Sequence, residues 1–247
     1  MSTLLRAELR KVRATPTIWW LLLGTAAIGV VGTLAPLIAA DGDAAGVLTD
    51  RKLQEAMHGA AAGVILVIVA GIVGMAGDWR FGQATQTFLT TPQRWRVVVA
   101  KSLAYMGVGA VYGIVAGAAS TATAWGWYRA SDLALPFDRS AVWLTLLGCL
   151  AVAVLFGLLG VAVGGLARNQ VAAIVAALGW QVLVEPALFA ASPSVFRWLP
   201  GMASFSLRRQ PTEGLLAVGP ATAVLVGVIA VLLAAGLWCV ERDDVTA

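Results

Sequence analysis

AVWLTLLGCLAVAVLFGLLGVAVGGLA, residues 141–167, contains no charged side chain and reads as one uninterrupted apolar run. A helix rises roughly 1.5 Å per residue, so about 20 residues cover a hydrocarbon core of about 30 Å. The run is therefore long enough to cross a bilayer. Five others match it, at 17–40, 59–77, 103–127, 171–191 and 219–240, and only 171–191 carries a charged residue, Glu185. None alternates apolar and polar residues as barrel strands do, and in lipid every backbone group must be satisfied within the structure. The predicted fold is an all-α membrane protein of six transmembrane helices, with residues 1–247 forming a single domain.

Composition agrees. The chain is 60% hydrophobic and 12% charged, where soluble domains carry about a quarter charged residues. Its net charge of +4 is explained by where the basic residues fall, without a nucleic-acid partner. Arg6, Arg10, Lys11 and Arg13 precede the first span, and Arg80, Arg94, Arg96 and Lys101 lie between the second and third. Arg168 follows the fourth span and Arg242 the sixth, so ten of the 17 basic residues share one side. The positive-inside tendency makes that side cytoplasmic, so the expectation is a multi-pass protein of the cell membrane with both termini cytoplasmic. The first apolar run lacks a small-x-small cleavage site, so it is read as a retained span and not a signal peptide. Cys149 and Cys239 fall inside spans and read as packing residues.

Between the spans, residues 2–13 read as an amphipathic interfacial helix. Leu4, Leu5, Leu9 and Val12 share an arc that Glu8 interrupts. Thr15-Pro16 reads as a helix start, with threonine as cap and proline at the first helical position. The TDRKLQEAM stretch after Asp41 is expected to extend the second span into water. The tight Arg168-Asn169-Gln170 connection makes spans four and five antiparallel neighbours. Residues 192–218 are too apolar for a solvated linker and too broken for a span, which suggests an outer re-entrant segment before the last helix.

Several chemistries are absent. The single histidine, His58, excludes a multi-histidine metal site, and no phosphate-cradling Gly-Lys loop occurs. Ser120 lacks the surroundings of a nucleophile. Glu185 stands alone: a carboxylate at a helix centre costs about 2.5–3.5 kcal/mol on insertion scales, so it calls for a partner or a wet cavity. Two readings are open for it. It is solvated or paired with Arg197, Arg208 or Arg209 near the outer surface, or it belongs to a transport pathway with Trp180 and Gln181.

GDWRFGQATQTFLTTPQRWRVVVAK, residues 77–101, is the most specific stretch. Gly82 and Pro92 bracket a short helix at 83–91, with a polar surface that includes Gln83 and Thr87 beside Phe88 and Leu89. Pro92 then restarts a helix whose Arg94, Arg96 and Lys101 suit the lipid headgroup level. This segment resembles the bacterial ABC-type-2 exporter permeases, whose corresponding loop carries an acidic residue, then arginine, glycine, a leucine, Pro-x-Arg and lysine. Asp78, Arg80, Gly82, Leu89, Pro92, Arg94 and Lys101 match that order. Asp78 stands where glutamate is commoner, and Gln83 where threonine is usual.

The resemblance implies a permease subunit that pairs with a second copy or a close paralogue and binds two copies of a separate ABC ATPase. ATP and magnesium would bind in that ATPase, and this chain would be no enzyme and hold no cofactor or metal of its own. The 83–92 segment would be the cytoplasmic coupling helix, with Asp78, Arg80, Gly82, Gln83, Thr87, Leu89, Pro92 and Arg94 at the ATPase contact. The cargo implied is a hydrophobic or amphipathic small molecule such as a drug, antibiotic or lipid. The competing readings are a proton-coupled secondary transporter working through Glu185 and a non-transporting membrane anchor or sensor.

Overall fold

The computed structural model describes residues 2–39, 48–82, 93–133 and 136–242, and these are helical with no strand among them. Ser2–Ala14 forms α1 and Pro16–Ile38 forms α2. Pro16 occupies the first turn as expected, but Thr15 does not cap it: its hydroxyl donates to the Lys11 carbonyl at 2.8 Å, tying the end of α1 to the start of α2. Asp50–Met57 forms α3, and a 3-10 turn at His58–Ala61 leads into α4, Val64–Arg80. With α4, α3 extends the second span over 50–80, as expected, and one of its faces is packed on the bundle. Leu53, Ala56 and Met57 lie on one helical face, and that face is buried against Leu37, Ala124, Tyr128 and Val142.

The third span is much longer than its apolar core, since α5 runs unbroken from Arg94 to Ala130. Ser140–Ala167 forms α6. It stops at Arg168, whose φ of 50° lies in the left-handed region. The Asn169 side chain then accepts from the Val171 and Ala172 amides at 3.0 and 3.1 Å, starting the next helix. The fifth span has three parts: α7 at Gln170–Gly179, a π turn at Trp180–Val184 and α8 at Glu185–Ala191. Pro186 is the cause, because it has no N–H to give and its ring would crowd an ordinary helical turn. Two short helices follow, α9 at Pro193–Phe196 and α10 at Pro200–Leu207, before α11 at Val218–Arg242.

Helix α6 is the axis of the bundle, packed against α4, α5 and α11. At its crossing with α4 the two backbones touch. A Cβ on Gly160 would lie 2.2 Å from the Ile68 carbonyl oxygen, and one on Gly71 would lie 2.5 Å from that of Gly157. Small residues at a crossing are how helices associate without a hydrophobic driving force. Around this contact Ile68, Ile72, Val152, Phe156, Leu225 and Ile229 form the largest core cluster. By contrast α2, α7–α8 and α11 turn most of their apolar surface outward, as Val31, Val175, Leu183 and Val231 illustrate. Among the described residues six helical stretches are long and apolar enough to cross a membrane.

Candidate functional site

Two regions concentrate charge inside the bundle. The first lies at the end that holds α1. There Glu8 and Lys11, one turn apart on α1, meet Asp78 from the end of α4 and Lys101 from α5. Lys101 is only 2% exposed. Its ammonium reaches Glu8 Oε2 at 2.7 Å, Asp78 Oδ2 at 3.0 Å and the Gly74 carbonyl at 2.9 Å. Three acceptors match its three protons. Lys11 Nζ lies 3.1 Å from Glu8 Oε1 and 3.4 Å from Asp78 Oδ2, closing a four-charge ring of alternating sign. Burial would lower the Lys11 pKa, but Asp78 and Glu8 outweigh it and hold the group above its ordinary value.

This corrects the placement of Lys101 at the headgroup level. A buried ion is tolerated only with a close counter-ion and satisfied hydrogen bonds, and α1 supplies half of that environment. The role of Glu8 is what sequence reasoning missed. Its interruption of the apolar arc was the available signal, because Leu5 and Val12, on the side that packs inward, flank a carboxylate. A cavity of about 570 Å³ opens beside the ring and is bordered also by Arg80, Phe81, Tyr105 and Gln170.

The remaining residues of the 77–101 stretch are spread out. Arg80 is exposed, lies 5.5 Å from the Phe81 ring centroid and points Nη1 at Gln170 Oε1, 3.5 Å away. Gly82 adopts φ +67° just after α4, a conformation glycine reaches without strain. Gln83, Thr87, Leu89 and Pro92 lie outside the described residues. Arg94 donates to the Val240 carbonyl and Arg168 to the Cys239 carbonyl, both at 2.6 Å. Two guanidinium groups thus meet the C-terminal carbonyls of α11, where cations favour the helix dipole.

The second region is the fifth span beside α10. Glu185 is 0% exposed. The Trp180 indole N–H donates to its Oε1 at 2.6 Å, while Oε2 has no hydrogen-bond partner. The Gly201 and Met202 amides at the start of α10 are turned toward the carboxylate, while Oε2 is left without a partner of hydrogen-bonding geometry. The approach depends on Gly201: a Cβ there would sit 2.0 Å from Oε2 and 2.7 Å from Gln181 Nε2. The π turn brings Trp180, Gln181 and Glu185 to this one contact. The outer-surface reading of Glu185 is therefore not met. Arg208 is engaged elsewhere, with Nε donating to the Ser204 carbonyl and the guanidinium over Phe205. Beside Trp180 and Gln181 lies an apolar cavity of about 390 Å³, walled also by Ile68, Leu159, Val228 and Leu232.

The other polar groups singled out by sequence are locally engaged. His58 Nε2 lies 2.7 Å from the Arg208 carbonyl, and the Ser120 hydroxyl donates to that of Gly29 at 3.4 Å. Among the described residues no group of three His, Cys, Asp or Glu side chains could hold a metal. Among the described residues, six stretches long and apolar enough to span a bilayer are the architecture of a multi-pass membrane protein. No family model matches the chain, and no curated protein matches it either.

Proposed function

We propose that this chain is the transmembrane permease subunit of an ABC exporter, moved by a separate ATPase that grips the 83–92 segment. The four-charge ring is the observation that carries this reading. It joins α1, the end of α4 and the first turns of α5 on either side of that segment. A force applied to the 83–92 connection then reaches three helices together, and through α4 the α6 axis of the bundle. A transport cycle also requires nucleotide to favour one arrangement of the bundle over another, and a mount of this kind can convey that preference. The absence of a phosphate-binding loop in the sequence fits a division of labour in which ATP and magnesium bind the partner.

In this reading the α1 end faces the cytoplasm of the cell membrane, and a second copy or close paralogue completes the pathway. The segment around α10 is the re-entrant element, and the cargo is a hydrophobic or amphipathic small molecule. The burial of Glu185 without a basic partner favours one other reading, a carrier that exchanges protons through that carboxylate. It predicts transport abolished by collapsing the proton gradient and indifferent to ATP. The test of the main reading is whether a reading frame adjacent to this one encodes an ABC ATPase, followed by co-purification of this chain with that ATPase. Leu89→Asp is expected to abolish association and lower ATP turnover; wild-type association and turnover in that variant would remove the coupling assignment.

A further inference from the structure

We infer that the cavity between the fifth span, α10 and α11 binds a lipophilic cation, held on the face of Trp180 with the Glu185 carboxylate at the N–H edge of the ring. The inference names a cargo class for the transport subunit proposed above and rests on that reading, although binding itself needs only this chain. The cavity, about 390 Å³, falls in the range of small-molecule sites of roughly 300–1,000 Å³. Ile68, Leu159, Val228 and Leu232 suit an apolar body, and Trp180 and Gln181 are its distinctive features.

A cation over an indole face is attracted by the ring quadrupole, and more strongly where water is excluded. Here the indole is not an ordinary one. Its N–H is donated to a carboxylate at 2.6 Å, a charge-assisted bond that polarises the ring and makes its face more negative. The carboxylate has no ammonium or guanidinium within salt-bridge distance among the described residues, unlike Glu8 and Asp78 at the other end of the bundle. Its field in a low-dielectric wall is therefore uncompensated by any fixed cation. A neutral lipophile of the same shape gains nothing from this field, and an anion is repelled. A compact hydrated cation is excluded as well, because an almost wholly apolar wall cannot replace its water. What remains is a cation whose charge is delocalised or shielded by apolar groups, such as a quaternary ammonium or phosphonium. Trp180 keeps 44% of its surface exposed on a span that packs loosely, so such a molecule reaches the ring from the bilayer side.

The test is equilibrium binding of tetraphenylphosphonium and of uncharged tetraphenylsilane to the full-length chain in lipid nanodiscs, with no ATPase present. The wild type is expected to bind the phosphonium about tenfold or more tightly than the silane. Glu185→Gln is expected to remove that preference while leaving silane binding unchanged, and Trp180→Phe to reduce the preference. Val228→Trp fills the cavity but keeps Trp180 and Glu185, and is expected to remove binding of both probes, so one variant remains informative if another fails to fold. Equal affinity for the two probes in the wild type would overturn the inference, as would undiminished phosphonium binding in Glu185→Gln or Val228→Trp. Cation binding by a chain that never associates with an ATPase would end the subunit reading and leave this site standing; ATPase coupling without cation preference would do the reverse.

Discussion

At the α1 end, four buried or half-buried charges cancel one another; beside α10, one carboxylate is buried with an indole N–H for company. The first arrangement has no charge left to offer a ligand. It is cross-linking, built from three helices, and its energy resides in holding them together. The second is a single close approach of Glu185 to Gly201 of α10, with no counter-ion beside it among the described residues. Buried charge inside a membrane bundle thus has two uses, and the number of counter-ions distinguishes them.

The largest expected effect comes from breaking the ring at its most buried member. Lys101→Met leaves Glu8 and Asp78 facing each other without their main counter-ion, and removing one partner of a buried pair costs about 3–5 kcal/mol. A large drop in thermal stability in detergent is expected, partly restored when Glu8→Gln is added. Equal stability of Lys101→Met and wild type would mean that the ring does not bind the three helices. Next comes Gly160→Ala, which places a methyl group against the Ile68 carbonyl. Backbone cannot yield as a side-chain tip can, so a loss of about 1–3 kcal/mol is expected from overpacking. This measures the α4–α6 contact through which the ring would act.

Glu185→Gln gives the sharpest contrast. Glutamine still accepts from the Trp180 N–H, so stability should change by less than about 1 kcal/mol, even though the residue is as buried as Lys101. A loss comparable to that of Lys101→Met would erase the distinction between the two regions. The smallest effect concerns Lys11. Its pKa is raised in the folded state, so the stability it contributes is fully present below its ordinary value of 10.5 and is lost as pH rises through the raised one. Melting temperature followed across the alkaline range should show an extra fall above that value, and Lys11→Met should lack it.

Much of the architecture was legible because the spans are unbroken apolar runs. The predicted 141–167 corresponds to Ser140–Ala167, and 219–240 to Val218–Arg242. The helix expected to restart after Pro92 is present and runs unbroken from Arg94, Arg96 and Lys101 into the third span. Lys101 was assigned to the headgroups because its partner Glu8 is 93 residues away, and spacing along a chain says nothing about such a meeting. Glu185 stood out at once as a lone carboxylate. Its burial did not, since that depends on α10 arriving with Gly201 at its N-terminus, a tertiary event. The π turn has a visible cause in Pro186, yet the sequence alone does not tell a kink from a π turn at a proline.

The claim on which the account turns is that motion in this bundle is driven from outside it, through the segment that the charge ring supports. Accumulation of a phosphonium probe in sealed vesicles tests this most directly, comparing this chain alone with the chain plus the ABC ATPase that co-purifies with it. The account predicts uphill accumulation only when both proteins and ATP are present. Uphill accumulation by this chain alone, driven by a proton gradient, would contradict it.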